Sequence, residues 1–466
     1  MSTAVLSDEI VVTNPATGAE LGRVKRAGET EVDRAVRAAH ATYLEWREVP
    51  VVERARRFFK FQVVLEEHLD ELAKIVANEN GKMLPDARGE VRRGIECVEF
   101  ACGMPSLLMG DSLEGIARGI DSQTIRQPLG VCVGITPFNF PAMIPMWMFP
   151  IAIAAGNAFV LKPSPQTPLA SVRIFELFSQ CGFPPNVLQV VHGDRPTVEA
   201  LIGHPLTRAV SFVGSSAVAR HVQSVAVEHH KRVQALGGAK NFLIVMPDGV
   251  TDAAVENIMG SAFGAAGERC LAGSVVVAVG DAAEPLLAKL RAATSKLKIG
   301  AWDTDGAQMG PVISEQARER IVGYIDDGLR TSELVVDGRK NVPERGTFVG
   351  PTIFDNVDPS APLARDEIFG PVLAVVRVPT LDAAIELANR STYGNASSIF
   401  TQSGGAAQRF AHAIEVGMIG VNVGVAAPMA FFPFGGMKDS IFGDLRAHGK
   451  DGVAFYTQQK VVISRW

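Results

Sequence analysis

After Gly130 the chain repeats one pattern: a short β-branched run, then enough residues for a helix, then another run. The first series is Val131 to Ile135, Ala158 to Leu161, Val187 to Val191 and Ala209 to Val213. A second follows at Phe242 to Met246, Ser274 to Val279, Leu334 to Val336 and Leu373 to Val378. Near-continuous apolar runs mark strands buried on both faces, and helix-length spacers supply the crossovers that parallel strands require. Together these predict an α/β protein. At 466 residues the chain exceeds what one core serves, so two α/β lobes are expected.

Thr30 to about Asn80 reads as helix, with Val32, Val36 and Ala39 on one face and Thr30 with Asp33 as a capping box. The polar stretch Asp111 to Pro128 and the tail Val453 to Trp466 are strand-like, fit either to add to a neighbouring sheet edge or to form a surface hairpin and tail. A net charge of −5 gives no basic face for nucleic acid or an anionic membrane, so a small-molecule partner is expected. The opening MSTAVLSDEIVVTNPATG lacks the basic start and apolar core of a signal peptide, and the apolar run Pro141 to Ala155 is too short to span a bilayer. Cys97, Cys102, Cys132, Cys181 and Cys270 form no CxxC pair, so neither a metal site nor a disulfide framework is expected. A reducing, cytoplasmic setting fits that usage.

Four segments carry candidate chemistry. In FVGSSAVARHV a strand runs into Gly214 and Ser215 and then a helix, a turn that brings backbone N–H groups to a phosphate and is also a common α/β connection. Cys270, in FGAAGERCLAGS, has small neighbours and Arg269 beside it, as an accessible thiolate nucleophile would; a buried space-filling cysteine is the alternative. Asn139, between Pro137 and Pro141, is either a rigid oxyanion donor or a loop cap. Lys162, in VLKPS, is either a ribose ligand or a surface lysine.

Taken together, TPFNFP, KPSPQTPL, FVGSS, GERC, EIFGPV and PFGG resemble, in order and spacing, the landmarks of the aldehyde dehydrogenase superfamily. The resemblance covers nearly the whole chain. It implies two Rossmann-type parallel lobes with a small β oligomerisation element: 1–108 and 129–239 for NAD(P) binding, 240–445 for catalysis, 109–128 and 446–466 for assembly into a homodimer or homotetramer. It implies Cys270 as nucleophile and Asn139 as oxyanion donor, with Thr136, Phe138, Lys162, Gly214, Ser215, Leu236, Glu367 and Phe369 along the cofactor.

The wording RRGIECVEFACG, GVCVGITPFNFPAMIPMWMFPIAIAAGN and GAKNFLIVMPD is similar to the methylmalonate-semialdehyde dehydrogenases, which release an acyl-CoA. That resemblance implies coenzyme A as co-substrate and Arg93 and Arg269 as ligands of a substrate carboxylate, with Arg92 an alternative to Arg93. Hydrolytic relatives carry a general-base glutamate 34 residues before the nucleophile; here that position is Leu236, which cannot activate water. Asparagine is the residue associated with it in the acylating subfamily, so Leu236 departs from that pattern too. Glu268 is the carboxylate near enough in sequence to substitute, and would support release of a free acid. A non-redox thiol esterase or lyase using the same cysteine is a further alternative. Pro165 stands where NAD-selective relatives place a glutamate, so NAD is expected with NADP tolerated.

Overall fold

The structure, a computed structural model, describes residues 8–466; the first seven residues of the opening segment read for a leader lie outside them. Three sheets organise the chain. A six-stranded sheet runs, edge to edge, Ile441–Phe442, Arg232–Leu236, Thr207–Val213, Val131–Ile135, Ala158–Lys162, Leu188–Val190. Only its first pair is antiparallel. A seven-stranded sheet runs Glu333–Val336, Thr352–Asp355, Val372–Val378, Gly273–Val279, Asn241–Val245, Ala396–Phe400, Met418–Val421, again antiparallel only at its first pair. Each expected β-branched run falls on one of these strands, most of them buried on both faces; Leu188–Val190 and Glu333–Val336 are partly exposed edge strands. The central strands Val131–Ile135 and Asn241–Val245 are buried throughout.

The third sheet is small and antiparallel: Thr457–Arg465, Ile120–Pro128, Ser112–Ala117. It leaves Leu113, Ile116, Ile125, Val461 and Ile463 exposed. The front end is helical as expected, in Glu29–Trp46, Val51–Glu67, Leu69–Asn80 and Leu84–Cys102. Its cap differs from the expected Thr30 and Asp33 box. Gly28 caps the first helix, Glu31 Oε2 accepts from the Gly28 N–H at 3.0 Å, and Asp33 pairs with Arg37 and His204 instead. The helix begins earlier because Glu29 and Glu31 both favour the positive end of the helix dipole.

The apolar run after Pro141 forms the helix Met143–Ala154, buried along nearly its whole length and inside the protein core. No helix among the described residues is long and apolar enough to cross a membrane.

In the six-stranded sheet the chain leaves Val131–Ile135 toward one edge and returns to its other side with Thr207–Val213. That reversal opens a crevice at the carboxyl ends of the two strands, the usual ligand position in open parallel sheets. Thr136 and Gly214 follow these strand ends directly.

Candidate active site

Cys270 sits on a backbone shaped by left-handed residues. Between the helix Asp252–Phe263 and the strand Gly273–Val279, Ala265, Ala266 and Gly267 have φ of 49°, 52° and 72°. Left-handed alanines cost roughly 1–3 kcal/mol each, so this turn is held by its surroundings. The small residues read as room for substrate have a second cause: a Cβ at Gly267 would collide with the carbonyl of Gly370, and one at Gly264 would lie 2.9 Å from the Arg269 guanidinium. Downstream, Asn241 Nδ2 and Asn395 Nδ2 each donate to the Cys270 carbonyl at 2.9 Å, fixing the peptide that carries the thiol.

The environment of the thiol differs from expectation. Burial and then the Glu367 carboxylate push the Cys270 thiol up to about 12, against the smaller opposing pull of the Cys270 and Leu271 N–H groups and Arg269. Arg269 does not act as a free cation beside the sulfur, because it is paired with Asp86 at 2.9 Å. Alkylation of Cys270 by iodoacetamide in the dinucleotide-free protein should therefore rise about tenfold per pH unit from neutral upward, without a plateau below about pH 10. Peptide mapping reads this directly; a plateau near neutral pH would show a thiolate already formed. The other four cysteines are buried and free, and each is held above its ordinary value by burial.

Asn139 comes to the same place from the other lobe. Its side chain is buried, Nδ2 donates to the Glu268 carbonyl at 3.1 Å, and Oδ1 has no partner among the described residues. That one bond sets which end of the amide is the nitrogen and leaves its second N–H uncommitted.

Two cavities meet here. One, of about 400 Å³, is walled by Asp86, Arg92, Arg93, Phe140, Trp147 and Arg269, with Phe434 and His448 behind. The other, of about 390 Å³, is walled by Phe138, Asn139, Gly214, Ser215, Gly238, Glu367 and Phe369. Cys270 lines both, and no other described residue does.

The second cavity lies along the carboxyl ends of the six-stranded sheet. Ser215 precedes the helix Ser216–Glu228, so unpaired N–H groups face its floor. Phe138 and Phe369 stand edge to face at 5.7 Å, and Phe369 holds a left-handed φ of 53°. Glu367 Oε1 accepts from the Ala239 N–H at 2.8 Å, and burial pushes its carboxyl up to about 7.

Against this geometry, comparison with known proteins is decisive. The sequence model of the aldehyde dehydrogenase family matches residues 3–462. The chain belongs to the aldehyde dehydrogenase family. It is 54% identical over 461 residues to malonate-semialdehyde dehydrogenase 3 of Geobacillus kaustophilus, covering 98% of this chain and 95% of that protein. Among solved structures, a methylmalonate-semialdehyde dehydrogenase from Oceanimonas doudoroffii is 47% identical with a TM-score of 0.97, over 98% of this chain and 95% of the other. A structure from Sinorhizobium meliloti, described as a methylmalonate-semialdehyde dehydrogenase complexed with NAD, is 44% identical with a TM-score of 0.97, over 100% and 96%.

The remaining family-implied residues of this aldehyde dehydrogenase fall into two groups. Arg93 and Arg269 line the first cavity, each already paired: Arg93 with Glu96 at 3.0 Å, Arg269 with Asp86. Arg92 also lines it but is engaged by Glu66. Thr136, Lys162 and Leu236 lie at strand ends behind the second cavity rather than among its lining residues. Gly237 and Gly238, next in sequence, take the lining position in place of Leu236.

Lys162 and Thr136 nonetheless fit a polar ligand. Lys162 is 6% exposed, and burial pulls its ammonium down to about 8. Thr136 Oγ1 is buried without a partner among the described residues. Buried polar atoms are normally paired, so the partnerless Thr136 hydroxyl, with the desolvated Lys162 ammonium at the neighbouring strand end, marks a place where hydroxyls or phosphates of a dinucleotide would complete the bonding.

Sequence reasoning missed Asn241, Asn395 and Asp86. A signal for the last was present: Asp86, Glu90 and Arg93 are spaced i, i+4, i+7, one face of a helix.

Proposed function

We propose that this chain is a coenzyme A-acylating dehydrogenase of a short aldehyde bearing a carboxylate, converting methylmalonate semialdehyde to propionyl-CoA and carbon dioxide with NAD. The observation that carries this is the placement of Cys270 between an arginine-bearing cavity and a second cavity whose floor is a strand-to-helix turn. In this reading Arg93 and Arg269 hold the carboxylate by planar, multi-donor pairing.

Cys270 Sγ, having given its proton to solvent, forms a bond to the aldehyde carbon. The resulting oxyanion accepts from the Asn139 amide and the Cys270 N–H. Gly214, Ser215, Lys162, Glu367, Phe138, Phe369 and Thr136 hold the dinucleotide, which supplies the acceptor for the hydride leaving that carbon. Cys270 then carries a thioester. Breakage of the C–C bond to the carboxylate releases carbon dioxide, and its electron pair passes into the thioester carbonyl before the α-carbon is protonated. Coenzyme A thiolate attacks the thioester carbon, and Cys270 leaves as thiolate.

Leu236 favours the thiol acceptor over water, and so does the state of Glu268. Its carboxylate accepts from the Ile313 N–H, lines neither cavity, and is pushed up to about 8 by burial. The domain division into 1–108 with 129–239, 240–445, and 109–128 with 446–466 belongs to the same reading. The exposed apolar residues of the three-stranded sheet support its assignment to subunit contact in a homodimer or homotetramer.

Purified protein incubated with methylmalonate semialdehyde, or with malonate semialdehyde, and NAD or NADP tests the proposal. Reduced cofactor should accumulate only with coenzyme A present, yielding propionyl-CoA or acetyl-CoA. Equal turnover to free acid without coenzyme A would overturn the acylating reading and turn attention to Glu268. Arg93→Leu and Arg269→Leu should each raise KM for the semialdehyde roughly 10²-fold, the scale for losing one partner of a buried charge pair, while leaving KM for propanal unchanged.

A further inference from the structure

The Asn139 amide is held by one side-chain hydrogen bond, so its position depends on the backbone that carries it. That backbone is gripped by a buried ion pair remote in sequence. Lys82 Nζ donates to the Asn139 carbonyl at 2.6 Å and to Glu90 Oε2 at 2.6 Å, and lies over the Phe140 ring at 4.3 Å. Glu90 Oε1 accepts from the Ala142 and Met143 N–H groups at 2.8 and 3.2 Å, where the helix Met143–Ala154 begins. The Lys82 and Glu90 side chains are 1% and 0% exposed. A pair so buried is a poor source of stability, because desolvation of both charges offsets their attraction. Here the two ends instead reach consecutive turns of one loop: the cation takes its carbonyl, the anion its N–H groups.

We infer that Lys82 and Glu90 are positioning residues for catalysis, clamping the Asn139 to Met143 backbone so that the Asn139 amide meets the oxyanion formed on Cys270. This rests on the proposed oxyanion role of Asn139. Lys82 lines neither cavity, so its removal alters the clamp without altering the walls that meet substrate or dinucleotide; Glu90 lines the first cavity, so the single Lys82 variant carries the test of kcat and the double variant the test of stability.

The test compares Lys82→Met, the double variant Lys82→Met with Glu90→Gln, and Asn139→Ala. Readouts are kcat and KM with semialdehyde, coenzyme A and NAD, the melting temperature, and the rate of Cys270 alkylation, which involves no oxyanion. Lys82→Met should lower kcat roughly 10- to 100-fold, the scale of a small misplacement, with KM and alkylation held within about threefold. The double variant should regain melting temperature, since no buried charge is left unpaired, and should not regain kcat. A folded Lys82→Met protein with full kcat, or a double variant in which kcat returns together with melting temperature, overturns the positioning role. Full kcat in Asn139→Ala would instead overturn the oxyanion reading itself, and the two failures are thereby distinguished.

Discussion

Cys270→Ala is expected to lower NAD-dependent turnover of semialdehyde by about 10⁴-fold or more, the scale on which enzymes lose rate when the nucleophile is removed. Substrate and dinucleotide should still bind, because Cys270 contributes only the seam between two cavities whose remaining walls are untouched. The measurement is reduced-cofactor formation under saturating substrate and coenzyme A, alongside NAD binding by quenching of protein fluorescence. Retained turnover in the alanine protein would mean that no covalent intermediate forms on this residue. An ester-hydrolysing or lyase activity that survives in the absence of NAD would favour non-redox use of the same thiol.

Asn139→Ala is expected to lower kcat by about 10²- to 10³-fold, equivalent to about 3–4 kcal/mol of lost transition-state stabilisation, with KM little changed. The reason is geometric. The amide is buried, turned by the Glu268 carbonyl so that nitrogen faces the cysteine segment, and has an N–H to spare. Asn139→Asp should be at least as damaging, since it puts an acceptor where a donor is needed. Iodoacetamide alkylation of Cys270 should proceed at its usual rate in Asn139→Ala and more slowly in Asn139→Asp, whose carboxylate disfavours the thiolate. An Asn139→Ala enzyme within a factor of about three of the parent would remove the side chain from the mechanism.

Much of the fold was legible because its strands are buried on both faces, which leaves unmistakable β-branched runs such as VCVGI and FLIVM. Short or half-exposed strands left no such mark: the hairpin Glu9–Thr13 with Glu20–Lys25, and the edge pair Met437–Lys438 with Tyr393–Gly394, are set by register with a partner. The first helix was started late because a glycine cap has no side chain to announce it. At the site, Cys270, Asn139, Glu367 and Phe138 sit in motifs with local signatures, and the structure brings them to shared walls. Residues that act through another residue were invisible. Lys82 reaches Asn139 across 57 positions, and Asn395 reaches Cys270 across 125, so no window of sequence contains both partners. The environment of the sulfur was misjudged for the same reason. Arg269 looked available, and its carboxylate partner lies 183 positions away.

Among the described residues the two cavities share one, and although the segment 137–143 contributes to both, the first takes most of its walls from 85–97 and 425–448, which contribute nothing to the second. For heritable variation this means that the enzyme's two recognition tasks are nearly independent characters. Changes between residues 85 and 97 other than Glu90, or between 425 and 448, can re-specify which aldehyde is admitted while the dinucleotide surface passes unchanged through selection. A lineage, or a mutational library, can therefore explore new substrates one wall at a time, with Cys270 as the position that neither exploration is free to alter.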